Sequence, residues 1–345
     1  MGTVDACVHP MVRRPDDLSR YMQKPYSSRN FAAPFGGVYN SPIGEYREGS
    51  DTSDGCLPGS DPELVARQVL DESGIDHAIL VPFTRGMVPD ARAACALDSA
   101  TNEWLAETWL GCGSGDRYRG SIRVSPRSPR AAIREIERWA SDARFVQIAV
   151  PVESHLLYGE DMFLPVWEAA SAHGLPVVMH TDYGPGAFRA PTTLGWPPTY
   201  LEMYSQYCGY AAAHLASLMA HGVFDQLDDL VFVFADGGFD YFVTLLWRLD
   251  KDWRSARDEV PWMESEPSRY LEGHVRFVVR QGDGPDDPGE FNKFVELNSL
   301  QGILMYGSGH PRWDALGASE VSSRLSEDTK SHVMEGNARA LYQLG

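Results

Sequence analysis

No apolar run in this sequence approaches the roughly 20 residues that a membrane helix needs. The opening Met1-Gly2-Thr3-Val4-Asp5 lacks the basic and apolar regions of a secretory signal, so a cytoplasmic protein is expected. Basic charge is scarce as well: 30 Lys and Arg stand against 48 Asp and Glu, a formal net charge of -18. Phosphate backbones are gripped by clustered Lys and Arg, which argues against nucleic acid as a partner. Cysteine is limited to Cys7, Cys56, Cys95, Cys112 and Cys208, an odd and scattered set with no Cys-x-x-Cys pair. A disulfide framework is excluded in a chain this large, and most of these thiols are expected to be free. Neither a Gly-x-Gly-x-x-Gly turn nor a Gly-x-x-x-x-Gly-Lys loop follows the first apolar stretch, which counts against a doubly wound nucleotide-binding sheet. Internal repeats and low-complexity tracts are missing too.

What is present is a chain of 345 residues, 43% hydrophobic and 11% aromatic, with 32 Gly and 23 Pro. That composition fills a large core and supplies many turns, as in a globular α/β protein. Its length suits one α/β barrel, so a single domain over residues 1–345 is expected. A β-branched and apolar stretch from Thr3 to His9 reads as the first strand. Met11 to Pro62 shows no periodicity and reads as a long loop over one end of the fold. Asp61 to Glu72 follows as a capped helix with Pro62 in its first turn.

Strands are then expected at His77–Phe83, Arg119–Val124, Phe145–Val152, Pro176–Thr181, Leu230–Ala235, Val275–Arg280 and Gly302–Gly307. Between them lie helical stretches at Ala91–Leu110, Pro129–Ala140, Met162–Ala172, Thr199–Ala220, Asp240–Asp252 and Pro288–Leu297, and Asp328–Leu344 closes the chain. Strands apolar on both faces and separated by helices imply a parallel sheet, and eight of them close most economically into a (β/α)8 barrel.

In such a barrel, chemistry sits at the C-terminal ends of the strands. Strand one ends Asp5-Ala6-Cys7-Val8-His9, where the two-residue period sends Asp5, Cys7 and His9 to one side. Strand five ends in Met179-His180-Thr181, strand six in Ala235-Asp236-Gly237-Gly238, and strand eight in Tyr306-Gly307-Ser308-Gly309-His310.

These pieces, in order, resemble the amidohydrolase-related group that includes aminocarboxymuconate-semialdehyde decarboxylase. The likeness runs through Val4-Asp5-Ala6-Cys7-Val8-His9-Pro10, Gly74-Ile75-Asp76-His77-Ala78-Ile79-Leu80-Val81-Pro82 and Asn102-Glu103-Trp104-Leu105. It continues in Gly174-Leu175-Pro176-Val177-Val178-Met179-His180, in Asp236-Gly237-Gly238 with Trp247-Arg248-Leu249-Asp250, in Tyr306-Gly307-Ser308, and in Glu335-Gly336-Asn337-Ala338-Arg339-Ala340-Leu341-Tyr342. The resemblance implies His-x-His on strand one, histidines on strands five and six, and an Asp on strand eight. Only His9 and His180 match. Cys7, Asp236 and Gly309 stand at the other three positions, and glycine offers no side chain where the family's Asp binds metal and helps activate water.

Cys7, His9, His180 and Asp236 together would make a tetrahedral zinc set, with sulfur favouring zinc over iron or manganese. With all four bound the site is closed and structural; with Asp236 standing off, a position stays open for water. The plain reading of Cys7 is a small apolar core residue. His310 is a candidate substitute ligand, or simply a loop histidine. Asp182 and Tyr183 could face substrate or solvent, Glu103 with Trp104 and Arg248 with Asp250 read as structural, and His214 and His221 as ordinary helix histidines.

Two functional expectations follow. The first is a degenerate subunit with at most one zinc, supporting an intact homologous barrel, one setting being an oxygen-dependent hydroxylase of the 2-aminoisobutyrate type. The second is a stand-alone mononuclear zinc hydrolase or decarboxylase of a small carboxylate. Tyr21, Tyr26, Phe31, Phe35, Tyr39 and Tyr46 in the first loop, with Tyr200, Tyr204, Tyr207 and Tyr210, suggest an aromatic interface for the homologous subunit.

Overall fold

The computed structural model describes residues 2–14, 16–28, 41, 43–52, 54–83, 88, 90–181, 197–235 and 237–345. Eight strands appear in chain order: β1 (Thr3–Val8), β2 (Ile75–Leu80), β3 (Tyr118–Arg123), β4 (Phe145–Pro151), β5 (Val177–His180), β6 (Phe232–Phe234), β7 (Val275–Val279) and β8 (Leu304–Tyr306). Each pairs in parallel with the next, so spatial order equals sequence order. Parallel neighbours cannot be joined by tight turns, and helices run between them.

Closure occurs just beyond the last strand. The Gly309 amide donates to the Cys7 carbonyl at 2.8 Å, and the His9 amide donates to the His310 carbonyl at 2.7 Å. The Asp5 carboxylate adds a third tie by accepting from the Ser308 amide at 2.9 Å. The result is the expected (β/α)8 barrel, with its seam running through the candidate site.

Strand alternation divides the apolar residues into two cores. On β5, Val177 and Met179 point outward against the helices while Val178 points into the barrel, where it meets Val4, Ile79, Ala149, Val233, Val278 and Met305. His180 therefore inherits the inward direction of Val178. On β1 the alternation is not strict, because Val4, Ala6 and Cys7 all belong to the inner cluster and the register with β2 shifts between Asp5 and Val8. Such a bulge re-aims side chains at a strand end.

The far end is closed by the helix Asn337–Tyr342. Its Tyr342 enters the inner core and donates to Gln147 at 2.9 Å, and Gln147 in turn donates to Ser121 at 2.8 Å.

The helix positions expected from sequence are largely observed, with differences of path: the expected helix Asp61–Glu72 is a short helix Pro62–Val65 followed by a wider turn Ala66–Asp71, and two more stretches are broken. The stretch Thr199–Ala220 is two helices, Tyr200–Ser205 and Tyr207–Ala220, hinged at Gln206, whose amide closes a tighter turn onto Met203. The closing helix is likewise interrupted, as Glu327–Ser331, a wider turn His332–Gly336, and Asn337–Tyr342. Near residue 61 the Asp61 carboxylate accepts from the Glu63 and Leu64 amides and Pro62 opens the helix, as its sequence predicts.

The described part of the long loop after β1 lies over the segment following β8. Tyr46 bridges Arg312, the Arg47 amide donates to Pro311, and the Trp313 amide donates to Glu45. Among the described residues no helix is long and apolar enough to cross a membrane.

Candidate metal centre

The ends of β1 and β5 bring three soft or nitrogen donors together. One ligand atom each from Cys7, His9 and His180 lies within 4.8 Å of the others, and all three residues are buried. Cys7 Sγ stands 3.7 Å from His9 Nε2. Two donors of a tetrahedral zinc bonded at about 2.3 Å (S) and 2.0–2.1 Å (N) are separated by roughly 3.5 Å, so this pair sits at the edge length of one shared ion.

The tautomers suit ligation as well. His9 Nδ1 lies 2.9 Å from the Val81 carbonyl and His180 Nδ1 lies 2.6 Å from the Thr181 carbonyl. A carbonyl can only accept, so each Nδ1 carries the proton and each Nε2 keeps the lone pair, the arrangement that orients metal-binding imidazoles. Phe83 stacks on the His9 ring at 4.0 Å and also flanks His180 at 5.3 Å, which fixes both rings and limits water.

Burial above all, then His180, Arg312 and Arg280, push the His9 proton affinity well below its ordinary value. Its ring stays neutral at working pH. The donor set thus fits one transition metal, and Cys7 serves as part of the inner core and as a neighbour of His9 at once.

The remaining candidates are distributed differently. Asp236 lies outside the described residues, as do Asp182 and Tyr183. His310 is buried but is not one of the converging donors; its backbone serves the seam with His9, and burial followed by the charge of Arg47 holds its ring at a pKa of about 4. His214 is a satisfied core histidine, accepting from the Tyr158 amide at 3.1 Å and facing the Val152 carbonyl at 2.8 Å. Trp104 is buried packing, Glu103 pairs with Arg138, Arg248 pairs with Asp252 on an exposed helix face, and Asp250 accepts from the Ser268 amide.

The other flank of the mouth was not foreseen. Gly309 has φ +69°, and a Cβ built on it would lie 2.1 Å from Arg280 Nη1. The guanidinium at the end of β7 fills the space into which a strand-eight side chain would project. Arg280 is paired with Asp314 at 3.0 Å, and Arg312 holds the same carboxylate through two contacts of 2.9 Å. The Tyr204 hydroxyl donates to Asp314 as well. All three charged residues are buried.

Beneath them, burial pushes Asp5 up to about 6, partly offset by hydrogen bonds from Ser308 and Cys7 and by Arg280. A usable signal for this flank was present: Arg280 is a charge on the last residue of an expected barrel strand. Its partner Asp314 is 34 residues away and becomes visible only in the fold.

A family profile described as amidohydrolase matches residues 4–344. An amidohydrolase from Mycobacterium avium subsp. paratuberculosis is similar in structure, with TM-score 0.74 at 20% identity over 99% of each chain. The 5-carboxyvanillate decarboxylase of Sphingomonas paucimobilis gives 0.70 at 19% identity over 99% of each chain. A dihydroxybenzoic acid decarboxylase from Polaromonas with bound manganese gives 0.68 at 19% identity, covering 99% of this chain and 97% of that one. At such identities the likeness carries the fold. No curated protein matches in sequence.

Proposed function

The chain belongs to the amidohydrolase family, and on that premise we propose that it holds one metal ion on Cys7, His9 and His180 and serves as a supporting subunit beside a homologous barrel. The observation that carries this reading is Arg280 in the space of a strand-eight side chain, with Gly309 offering no carboxylate. Hydrolysis at a metal needs a correctly placed base, and among the described residues no carboxylate joins Cys7, His9 and His180 in the donor group. Zinc is the ion we favour, because a thiolate beside two imidazoles is a soft set, although the Polaromonas decarboxylase holds manganese.

A bound metal supplies Lewis acidity and a more acidic water. The chain's own residues hold it in place: Val81 and Thr181 fix the imidazole tautomers, and Phe83 shields them. Arg280 and Arg312 set a positive charge on the opposite flank, which opposes a second cation.

The setting of an oxygen-dependent hydroxylase complex is carried by the resemblance alone. Exposed Leu201, Tyr241, Trp247 and Trp262 offer apolar surface for the partner, whereas Tyr207 is buried and Tyr204 turns inward onto Asp314 and Trp313. The tyrosines of this segment therefore belong more to the mouth than to an interface.

A second reading, a stand-alone mononuclear decarboxylase or hydrolase of a small carboxylate, is favoured by the decarboxylases among the structural neighbours and by the two guanidiniums at the mouth. Expressing the chain alone and together with an intact homologue, followed by light scattering and a turnover screen on small carboxylates, separates the two. The first reading expects a mixed complex and no turnover by the isolated chain. Turnover by the chain alone, unchanged when the homologue is added, would establish the second.

A further inference from the structure

We propose that residues Gly44 to Gly49 form a hinged strap that opens as a unit from the segment after β8 while the barrel beneath it stays folded. This inference concerns the main chain of the rebuilt flank and requires neither the metal nor a partner. The strap crosses Pro311 to Ala315, the stretch that carries Arg312 and Asp314. Its Tyr46 bridges Arg312, its Arg47 amide donates to the Pro311 carbonyl at 3.0 Å, and its Glu45 carbonyl accepts from the Trp313 amide at 3.0 Å. Arg47 adds a side-chain bond to the Ala315 carbonyl at 3.1 Å.

These hydrogen bonds hold the strap with little apolar burial behind them. Between Ile43 and Gly49 the large apolar side chains are Ile43, which is 72% exposed, and Tyr46, which is half-buried. Arg47 and Glu320 stand 3.6 Å apart with both side chains open to solvent, and such a pair contributes little. Segments with few buried apolar contacts open locally at a free energy well below that of global unfolding. The two ends are built to turn: Gly44 and Gly49 take φ of +104° and +81°, and a Cβ at either would meet nothing within 4 Å. Beyond the second hinge the chain is anchored, because Gln68 donates to the Gly49 carbonyl at 3.0 Å and Ser50 is buried.

The segment underneath has anchors of its own. Trp313 packs on Tyr204 and donates its indole N–H to the Tyr200 hydroxyl at 2.9 Å. Asp314 is locked between Arg280 and Arg312, and the Leu316 amide donates to the Ser308 carbonyl at 2.9 Å. Opening of the strap therefore frees the Trp313 amide and the Pro311 carbonyl without displacing the ion cluster. On this side the buried charges are covered by an element that can lift, and the rigid frame of the barrel lies below it.

Amide exchange resolved to single residues, followed on the full chain at rising urea below the unfolding transition, tests the strap. Arg47 and Trp313 should show the same protection, at least roughly ten-fold lower than that of His9 and Gly309 at the seam, and urea should hardly change it, because a local opening exposes little surface. Arg47→Ala removes the side-chain ties to Ala315 and Glu320 and should speed exchange at Trp313 by about three-fold or more, the scale of one modest hydrogen bond, with Gly309 unaltered. Trp313 as protected as Gly309, or with the urea dependence of the seam, would overturn the proposal, since strap and barrel would then open only together. Unequal protection of Arg47 and Trp313, or an unchanged Trp313 rate in Arg47→Ala, would overturn it too. Should that variant fail to fold, the urea series on the unmodified chain decides alone.

Discussion

The two flanks of the barrel mouth have the same architecture and opposite chemistry. On the β1 and β5 side, Cys7, His9 and His180 converge with neutral, oriented donors suited to a cation. On the β7 and β8 side, Arg280 and Arg312 close around Asp314 where Gly309 has no side chain, and the fixed charge is itself cationic. A barrel holds each strand end on a rigid frame, so one flank can keep its ligands while the other is rebuilt. The difference teaches that the position of Gly309, which carries no side chain, is not left open: the space beside it is filled by a buried, paired arginine.

Asp314 offers the strongest way to break this comparison. Asp314→Ala leaves two buried guanidiniums without their shared carboxylate, and breaking a buried ion pair in this manner costs about 3–5 kcal/mol. Urea unfolding should show that loss, and the donors on the opposite flank should still retain metal. A change below about 1 kcal/mol, the scale of a surface pair, would mean that the rebuilt flank contributes little to the fold.

The next effect sharpens the metal side. Cys7→Ser replaces a thiolate by a hydroxyl, a poor zinc ligand, and metal affinity should fall by at least the roughly 10–100-fold that even outer partners are worth. Cys95→Ser, on the helix Ala91–Thr108 and away from the donor group, should leave affinity unchanged. Equal retention in the two variants would return Cys7 to a purely apolar role in the inner core.

The smallest effect comes from a region that belongs to neither flank. Burial pushes His214 from 6.5 down to about 4, with the hydrogen bond to Val152 acting in the opposite direction. A depressed histidine is protonated more readily in the unfolded chain, so its contribution to stability is complete above pH 6.5 and is lost as pH falls towards 4. By pH 5 the loss should reach about 2 kcal/mol. His214→Gln should flatten that slope in urea titrations carried out between pH 7 and 5, and an unchanged slope would assign acid sensitivity to other groups.

Much of this was legible in sequence for a physical reason. Strand ends in a parallel barrel are set by local apolar runs and the period of two, so His9, His180 and Cys7 could be placed at one mouth from spacing and resemblance. The rest depended on contacts remote in sequence. Asp314 meets Arg280 across 34 residues, and the room Arg280 occupies exists because Gly309 takes a positive φ that no pattern of hydrophobicity reports. The bulge in β1 and the hinge at Gln206 escaped for a related reason: both are adjustments of register and helix path to the packed barrel. His310, one residue past the expected position, was a candidate substitute ligand, yet its backbone is drawn into the seam and its side chain is not among the converging donors.

The central claim is that one flank binds a metal and the other replaces it with fixed positive charge. Its most direct test is the transition-metal content of the purified chain under metal-replete conditions, measured alongside His180→Ala. The account predicts close to one equivalent per chain, predominantly zinc, falling to background in the variant. Two equivalents in the unmodified chain, or an undiminished equivalent in His180→Ala, would contradict it.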